Sequence, residues 1–394
     1  MKAQDKKIFV RYCSISAILL AALIYMLVSF SNSHKNVVDL GVSNHALNNI
    51  TQNAKVSDSR FRNIAFSPVP IEKSGRSQLA ATIEALENFI LRRKAKSQET
   101  EYGTWLWTPI MQITPSYMAD IIAKAKKEGV NVIYLSLDSY LDIYVMEEGK
   151  EKEKALEQFS KKLEDFIWLA SGEGIEVDAE GGWSNWTEEG HKYKGYALVS
   201  FVKDFNKSRA HQFRGFQYDV EPYLLEEYQA SVEGKKRVLS DFIALVDETE
   251  HFLSDSNLQF SVVVPDFYDR KDKATPKFSY GGRTDSVFGH LVQVLNKREG
   301  SKIIIMSYRN FAHGRDGSIE VTDNEMRTLR NKGGKTDIVI ALETGDVEPS
   351  YITFFSTSKS YFENEKSKVV KKYKNHPNFG GLSIHFANSF FSLR

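Results

Sequence analysis

The sequence predicts a (β/α)8 barrel, preceded by a membrane-spanning helix and a linker. Three observations carry the prediction. Beyond Trp105, short apolar runs alternate with amphipathic stretches at helical spacing. The runs number eight over roughly 290 residues, which is the count and size of such a barrel. Almost every run also ends in a polar or aromatic residue, and a barrel keeps its chemistry at the C-terminal ends of its strands. A doubly wound open sheet is the alternative. It needs no eighth strand, and it would place a Gly-rich phosphate turn after the first strand, where none stands.

The N-terminal elements come first. Lys2, Lys6, Lys7 and Arg11 (residues 1–11) precede an apolar run over residues 12–30, long enough to cross a bilayer as a helix. The positive flank places residues 1–11 in the cytoplasm and the rest of the chain outside. This predicts a single-pass inner-membrane protein with its C-terminal domain on the periplasmic or extracellular side. A cleaved signal peptide is the alternative, although no small-x-small site follows the run. Cys13, the only cysteine, lies in this run, so the exported part forms no disulfide, which suits a bacterial envelope. Residues 31–101 read as a stalk rich in Ser, Asn and Lys, then an amphipathic helix (Leu79, Ile83, Leu86, Phe89, Ile90).

The barrel domain spans residues 102–394. Its predicted strands are Thr104–Thr108, Val130–Leu137, Ile175–Glu180, Gly215–Glu221, Gln259–Pro265, Lys302–Tyr308, Asp337–Leu342 and Gly381–Phe386. Amphipathic helices include Tyr117–Glu128, Lys152–Ser171, Lys236–Leu253 and Tyr361–Tyr373. A net charge of +1 with 26% charged residues leaves no basic field for nucleic acid.

Gly215–Tyr223 is the most informative stretch. Side chains alternate along a strand, so Gln217, Asp219 and Glu221 share the inner face, while Phe216, Tyr218 and Val220 face the helices. Two neighbouring carboxylates raise the proton affinity of one of them, as a general acid near neutral pH requires. A strand-end salt bridge to Lys or Arg is the structural alternative. The seventh strand ends at Glu343. Across the ring from Glu221, it can serve as nucleophile or stabiliser on a bond between sugars. Its structural alternative is a pair with Arg309 or Lys335.

The other strand ends add Asp138 and Glu180, Tyr308 as a hydrogen-bond donor, and Arg309, which pairs with an acid or faces outward. His385 is a hydrogen-bonded barrel histidine or a binding residue. Trp105, Trp107, Trp183 and Trp186 fall at or near strand ends, where indoles stack on sugar rings; some, Trp105 above all, fill the barrel instead. No metal-ligand spacing and no serine-hydrolase elbow appear, so no cofactor is expected.

Gly215-Phe216-Gln217-Tyr218-Asp219-Val220-Glu221 resembles the fourth-strand signature of the chitinase-like family 18 glycoside hydrolases, which ends in Asp-x-Glu. Gln217 stands where that signature has its first aspartate. Glu180-Gly181-Gly182-Trp183 resembles the family's third-strand motif. Met306-Ser307-Tyr308 resembles its sixth-strand Met-x-Tyr, with Arg309 in place of the usual aspartate. The resemblance covers most of residues 102–394. It implies a substrate-assisted mechanism on an N-acetylated sugar, with Glu221 as acid and Asp219 orienting. Glu221-Pro222 and Glu343 are similar to the glutamates of the two-glutamate retaining clan, although Val220 replaces its usual Asn. That likeness implies Glu343 as nucleophile.

The expectation is therefore a membrane-anchored glycoside hydrolase acting on a cell-envelope or extracellular polysaccharide. Its expected catalytic residues are Glu221, Asp219, Glu343 and Tyr308. Trp107, Trp183, Asp138, Glu180, Arg309 and His385 are expected to bind substrate. Rival readings are an inactive glycan-binding or scaffold barrel, and a metal-dependent hydrolase using Asp138, Asp178 and Asp219.

Overall fold

Eight of the apolar runs form strands, and all are parallel: β1 (Glu101–Leu106), β2 (Val132–Ser136), β3 (Glu176–Gly181), β4 (Gly215–Tyr218), β5 (Gln259–Pro265), β8 (Lys302–Met306), β9 (Asp337–Glu343) and β10 (Phe379–His385). They close in the order β1-β10-β9-β8-β5-β4-β3-β2. The structure is a computed structural model and describes residues 100–394 except Lys271 and Gly333. The predicted membrane-spanning run at 12–30 and nearly all of 31–101 lie outside the described residues. Among the described residues, no helix is long and apolar enough to cross a membrane.

Strands such as Lys302-Ile-Ile-Ile-Met306 are apolar on both faces because each face is covered. Outward residues such as Val177, Phe216, Tyr218 and Val220 join the layer between sheet and helices. Inward residues Trp105, Val132, Tyr134, Val263, Ile304, Val339 and Ala341 form a separate core inside the ring.

The crossover helices are α1 (Pro115–Lys127), α3 (Lys150–Gly172), α4 (Lys192–Ser208), α6 (Val232–Phe252), α7 (Val287–Leu295), α8 (Asp323–Lys332) and α9 (Lys359–Tyr373), with short α2 (Tyr140–Tyr144), α5 (Glu226–Ala230) and α10 (Ala387–Phe390). Thr114, Ser231, Ser286 and Ser358 cap α1, α6, α7 and α9 by accepting a backbone N–H of the first turn. A small antiparallel hairpin, β6 (Phe278–Tyr280) and β7 (Arg283–Asp285), decorates the connection after β5.

The N-terminal end of the barrel is filled by a charged network. Arg214, just before β4, pairs with Glu101 at 2.9 Å and with Asp178 at 2.5 Å. Lys302 reaches Glu101 at 3.3 Å, and the Tyr134 hydroxyl donates to the same carboxylate. Burial pushes Glu101 up, but Lys302, Arg214 and Tyr134 together bring it down to about 2. This corrects the metal-dependent alternative. Asp178 belongs to Arg214 at the foot of the barrel, away from Asp138 and Asp219.

Candidate active site

The C-terminal ends of β2, β3 and β4 bring four carboxylates together. Asp138 follows β2, Glu180 is the penultimate residue of β3, and Asp219 and Glu221 follow β4. Gly181 and Gly182 allow this approach. A Cβ at Gly182 would stand 2.0 Å from the Asp219 carbonyl oxygen, so only glycine lets the ends of β3 and β4 meet there. The Asp219 N–H donates to the Gly181 carbonyl at 3.2 Å and holds the two ends together.

Burial shifts the proton affinities of this cluster upward. Asp138 is pushed up to about 6 by burial, held back by hydrogen bonds from the Trp183 indole and the Gly182 N–H. Asp219 is pushed up to about 7, first by burial, then by the negative charges of Glu221 and Asp138. Glu180, buried, is raised well above the usual carboxylate range by burial and then by Asp138 and Asp219. Glu221 accepts a hydrogen bond from the Tyr223 hydroxyl. The expected salt-bridge alternative for Glu221 is thus replaced by a phenol two residues along, a partner that was visible in the Glu-Pro-Tyr sequence.

A second group sits on β1, β9 and β10. The Trp107 indole N–H donates to His385 Nε2 at 3.0 Å, and His385 Nδ1 lies 2.7 Å from Glu343 Oε2. These two bonds fix the tautomer. Nε2 accepts from Trp107, so the ring proton on Nδ1 is donated to Glu343. A positive His385 would pull Asp219 down. Burial and the charges of Glu221 and Asp138 outweigh that pull, so Asp219 stands at about 7. The other oxygen of Glu343 accepts the Gly345 N–H at 2.5 Å, and the side chain is almost fully buried. Its partners are therefore His385 and Gly345, and neither Arg309 nor Lys335.

Tyr308 lies past the end of β8, its ring 6.0 Å from that of His385. Burial and then the charges of Glu343, Asp219 and Glu221 keep its phenol protonated. Arg309 turns to the rim, held by Asp266 at 3.1 Å and Asp316 at 3.0 Å, so it joins neither carboxylate group. β4 and β9 are separated by β5 and β8 on one side of the ring and by four strands on the other, so Glu221 and Glu343 stand on obliquely placed strands.

The tryptophans divide. Trp183 is 60% exposed and donates to Asp138 at 2.9 Å. Trp107 is half-buried beside His385. Trp105 fills the barrel and donates to Gln217 at 2.7 Å. Trp186 is a correction: it is buried outside the ring against Tyr218. Leu224, Val347, Tyr351 and Phe355 add exposed apolar surface on the loops that follow β4 and β9. A hollow of about 360 Å³ lined by Pro109, Met111, Ser139 and Asp142 lies to one side, and none of the four carboxylates lines it.

No family model and no curated protein sequence matches the chain. Among solved structures it is similar to a GH18 chitinase from Pseudoalteromonas aurantia, with 15% identity, a TM-score of 0.46, and 73% of this chain and 95% of that chain covered. It is also similar to an endo-1,4-beta-D-mannanase from Thermotoga petrophila, with 11% identity, a TM-score of 0.48 and coverage of 73% and 88%. A D-allulose 3-epimerase from Methylomonas sp. follows, with 13% identity, a TM-score of 0.41 and coverage of 72% and 83%.

Proposed function

We propose that the protein hydrolyses a glycosidic bond in a cell-envelope or extracellular polysaccharide, tethered by a membrane helix at residues 12–30. The observation that carries the reading is the Asp219–Glu221 pair at the mouth of the barrel, with Asp219 pushed up to about 7. Such a pair retains a proton near neutrality, which is what protonation of a leaving sugar oxygen needs.

Glu221 is the general acid, oriented by Tyr223. Asp219 tunes it and faces the positive charge that develops on the sugar ring. Each oxygen of Glu343 already accepts one hydrogen bond. That suits a carboxylate placed to stabilise charge or take a proton, rather than one free to bond to carbon. Attack at the anomeric carbon then falls to water. The water oxygen bonds to the carbon, the bond to the leaving oxygen breaks, that oxygen takes the proton of Glu221, and the water proton passes to Glu343. Tyr308 donates to one of these oxygens, and Trp183 and Trp107 stack on the sugar.

The test is a glycan-hydrolysis screen comparing the protein with its Glu221→Gln form. The variant should lose roughly a hundredfold or more of kcat while keeping the melting temperature. Full turnover by the variant on a confirmed substrate would sink the assignment. The engagement of both Glu343 oxygens also favours a second reading, a glycan-binding barrel without turnover. Binding of a glycan by both forms with hydrolysis by neither would establish it.

A further inference from the structure

β3 carries carboxylates at two heights, and the fold treats them differently. The lower one, Asp178, receives Arg214, which with Lys302 also serves Glu101. The upper ones receive no cation. Among the described residues, no Lys or Arg pairs with Asp138, Glu180 or Asp219. Their donors are neutral: the Trp183 indole and Gly182 N–H for Asp138, and the Ser136 hydroxyl for Glu180. Each keeps one buried oxygen with no hydrogen-bond partner: Asp138 Oδ1, Glu180 Oε2 and Asp219 Oδ1. Glu180 is only 1% exposed, and its carboxylate is within electrostatic reach of both others. Buried acceptors without donors are costly, and a donor-rich cation entering the cluster supplies the partners these oxygens lack.

We propose that this cluster binds the ammonium group of an amino sugar, making the substrate class a hexosamine polymer with free amines. The proposal rests on the glycan reading above and narrows it. An ammonium carries three N–H donors and one positive charge, and the cluster offers three acceptor oxygens that lack a donor. An acetamido group offers one N–H and no charge. A metal ion fits less well. It needs ligands at about 2.0–2.6 Å, and among the described residues no set of His, Cys, Asp or Glu is grouped to hold one. An ammonium bonds at the longer spacing of about 2.8 Å. Trp183, exposed and bonded to Asp138, supplies the face on which the ring carrying the amine rests.

The experiment is calorimetric titration of the full-length protein, in detergent and with Glu221→Gln to prevent turnover. The probes are a glucosamine hexasaccharide and the same oligosaccharide after complete N-acetylation. The free-amine form should bind roughly tenfold or more tightly. Glu180→Gln and Asp138→Asn, each checked by its melting temperature, should bring the ratio towards one by weakening the free-amine form more than the N-acetylated form. Equal affinity, binding of neither probe, tighter binding of the N-acetylated form, or an unchanged ratio in both variants overturns the proposal. Calcium binding that abolishes the preference and disappears in the same variants also overturns it, by giving the site to a metal. Preference without hydrolysis by the unsubstituted protein removes only the hydrolase reading. Hydrolysis without preference removes only this one.

Discussion

Asp219 and Glu221 stand two residues apart just past the end of β4, and burial first, then the charge of Glu221, decides how Asp219 titrates. Asp219 is pushed up to about 7, so it is neutral below that value and charged above it. Hydrolysis needs the proton this pair retains. Activity should therefore fall as pH rises through about 7, and Asp219→Asn should displace that limb. The check is kcat/KM against pH, and a profile flat between about 6 and about 8 for the unsubstituted protein contradicts the assignment. The alternation of Phe216, Tyr218 and Val220 with Gln217 and Asp219 was legible because strand period is a local property. The partners were less so. Gly345 reaches Glu343 through a backbone N–H, which no side-chain pattern announces. The tautomer of His385 depends on Trp107, far away in sequence.

At the scale of elements, the eight strands were legible because parallel strands covered on both faces read as unbroken apolar runs. Predicted strand four runs past the ladder. The structure ends β4 at Tyr218, and a turn of 3₁₀ helix begins at Pro222, so the two catalytic candidates belong to the loop the strand delivers. Trp186 was misplaced because it lies in a turn of 3₁₀ helix, Ser184–Thr187, that follows β3 and packs the indole into the outer layer beside Tyr218. The foot of the barrel was illegible as well. Glu101, Asp178 and Lys302 come from three strands and Arg214 from the residue before a fourth, and only closure brings them together. Arg214→Ala leaves two buried carboxylates with half of their compensation. It should lower unfolding stability by about 3–5 kcal/mol, read from denaturant titration. A loss under about 1 kcal/mol would mean the network is solvated like a surface pair.

The whole molecule titrates from both ends. Glu101 is depressed in the folded state from 4.5 to about 2, so its contribution is present above 4.5 and lost as pH falls towards 2. Asp138 and Asp219 are raised from 3.8 to about 6 and about 7, so the folded state holds their protons more tightly and loses stability as pH rises through that range. The melting temperature should therefore peak at mildly acidic pH, between the two sets. Asp219→Asn should flatten the decline on the alkaline side. A maximum above neutrality in the unsubstituted protein would show that surface pairs dominate instead.

Between the two charged ends lies the inner core, with Trp105, Tyr134, Val263, Ile304, Val339 and Ala341 spanning the ring. It works as a spacer. Arg214 and Lys302 are held beneath it by Glu101 and Asp178, and neither makes an ion pair with the acids at the mouth.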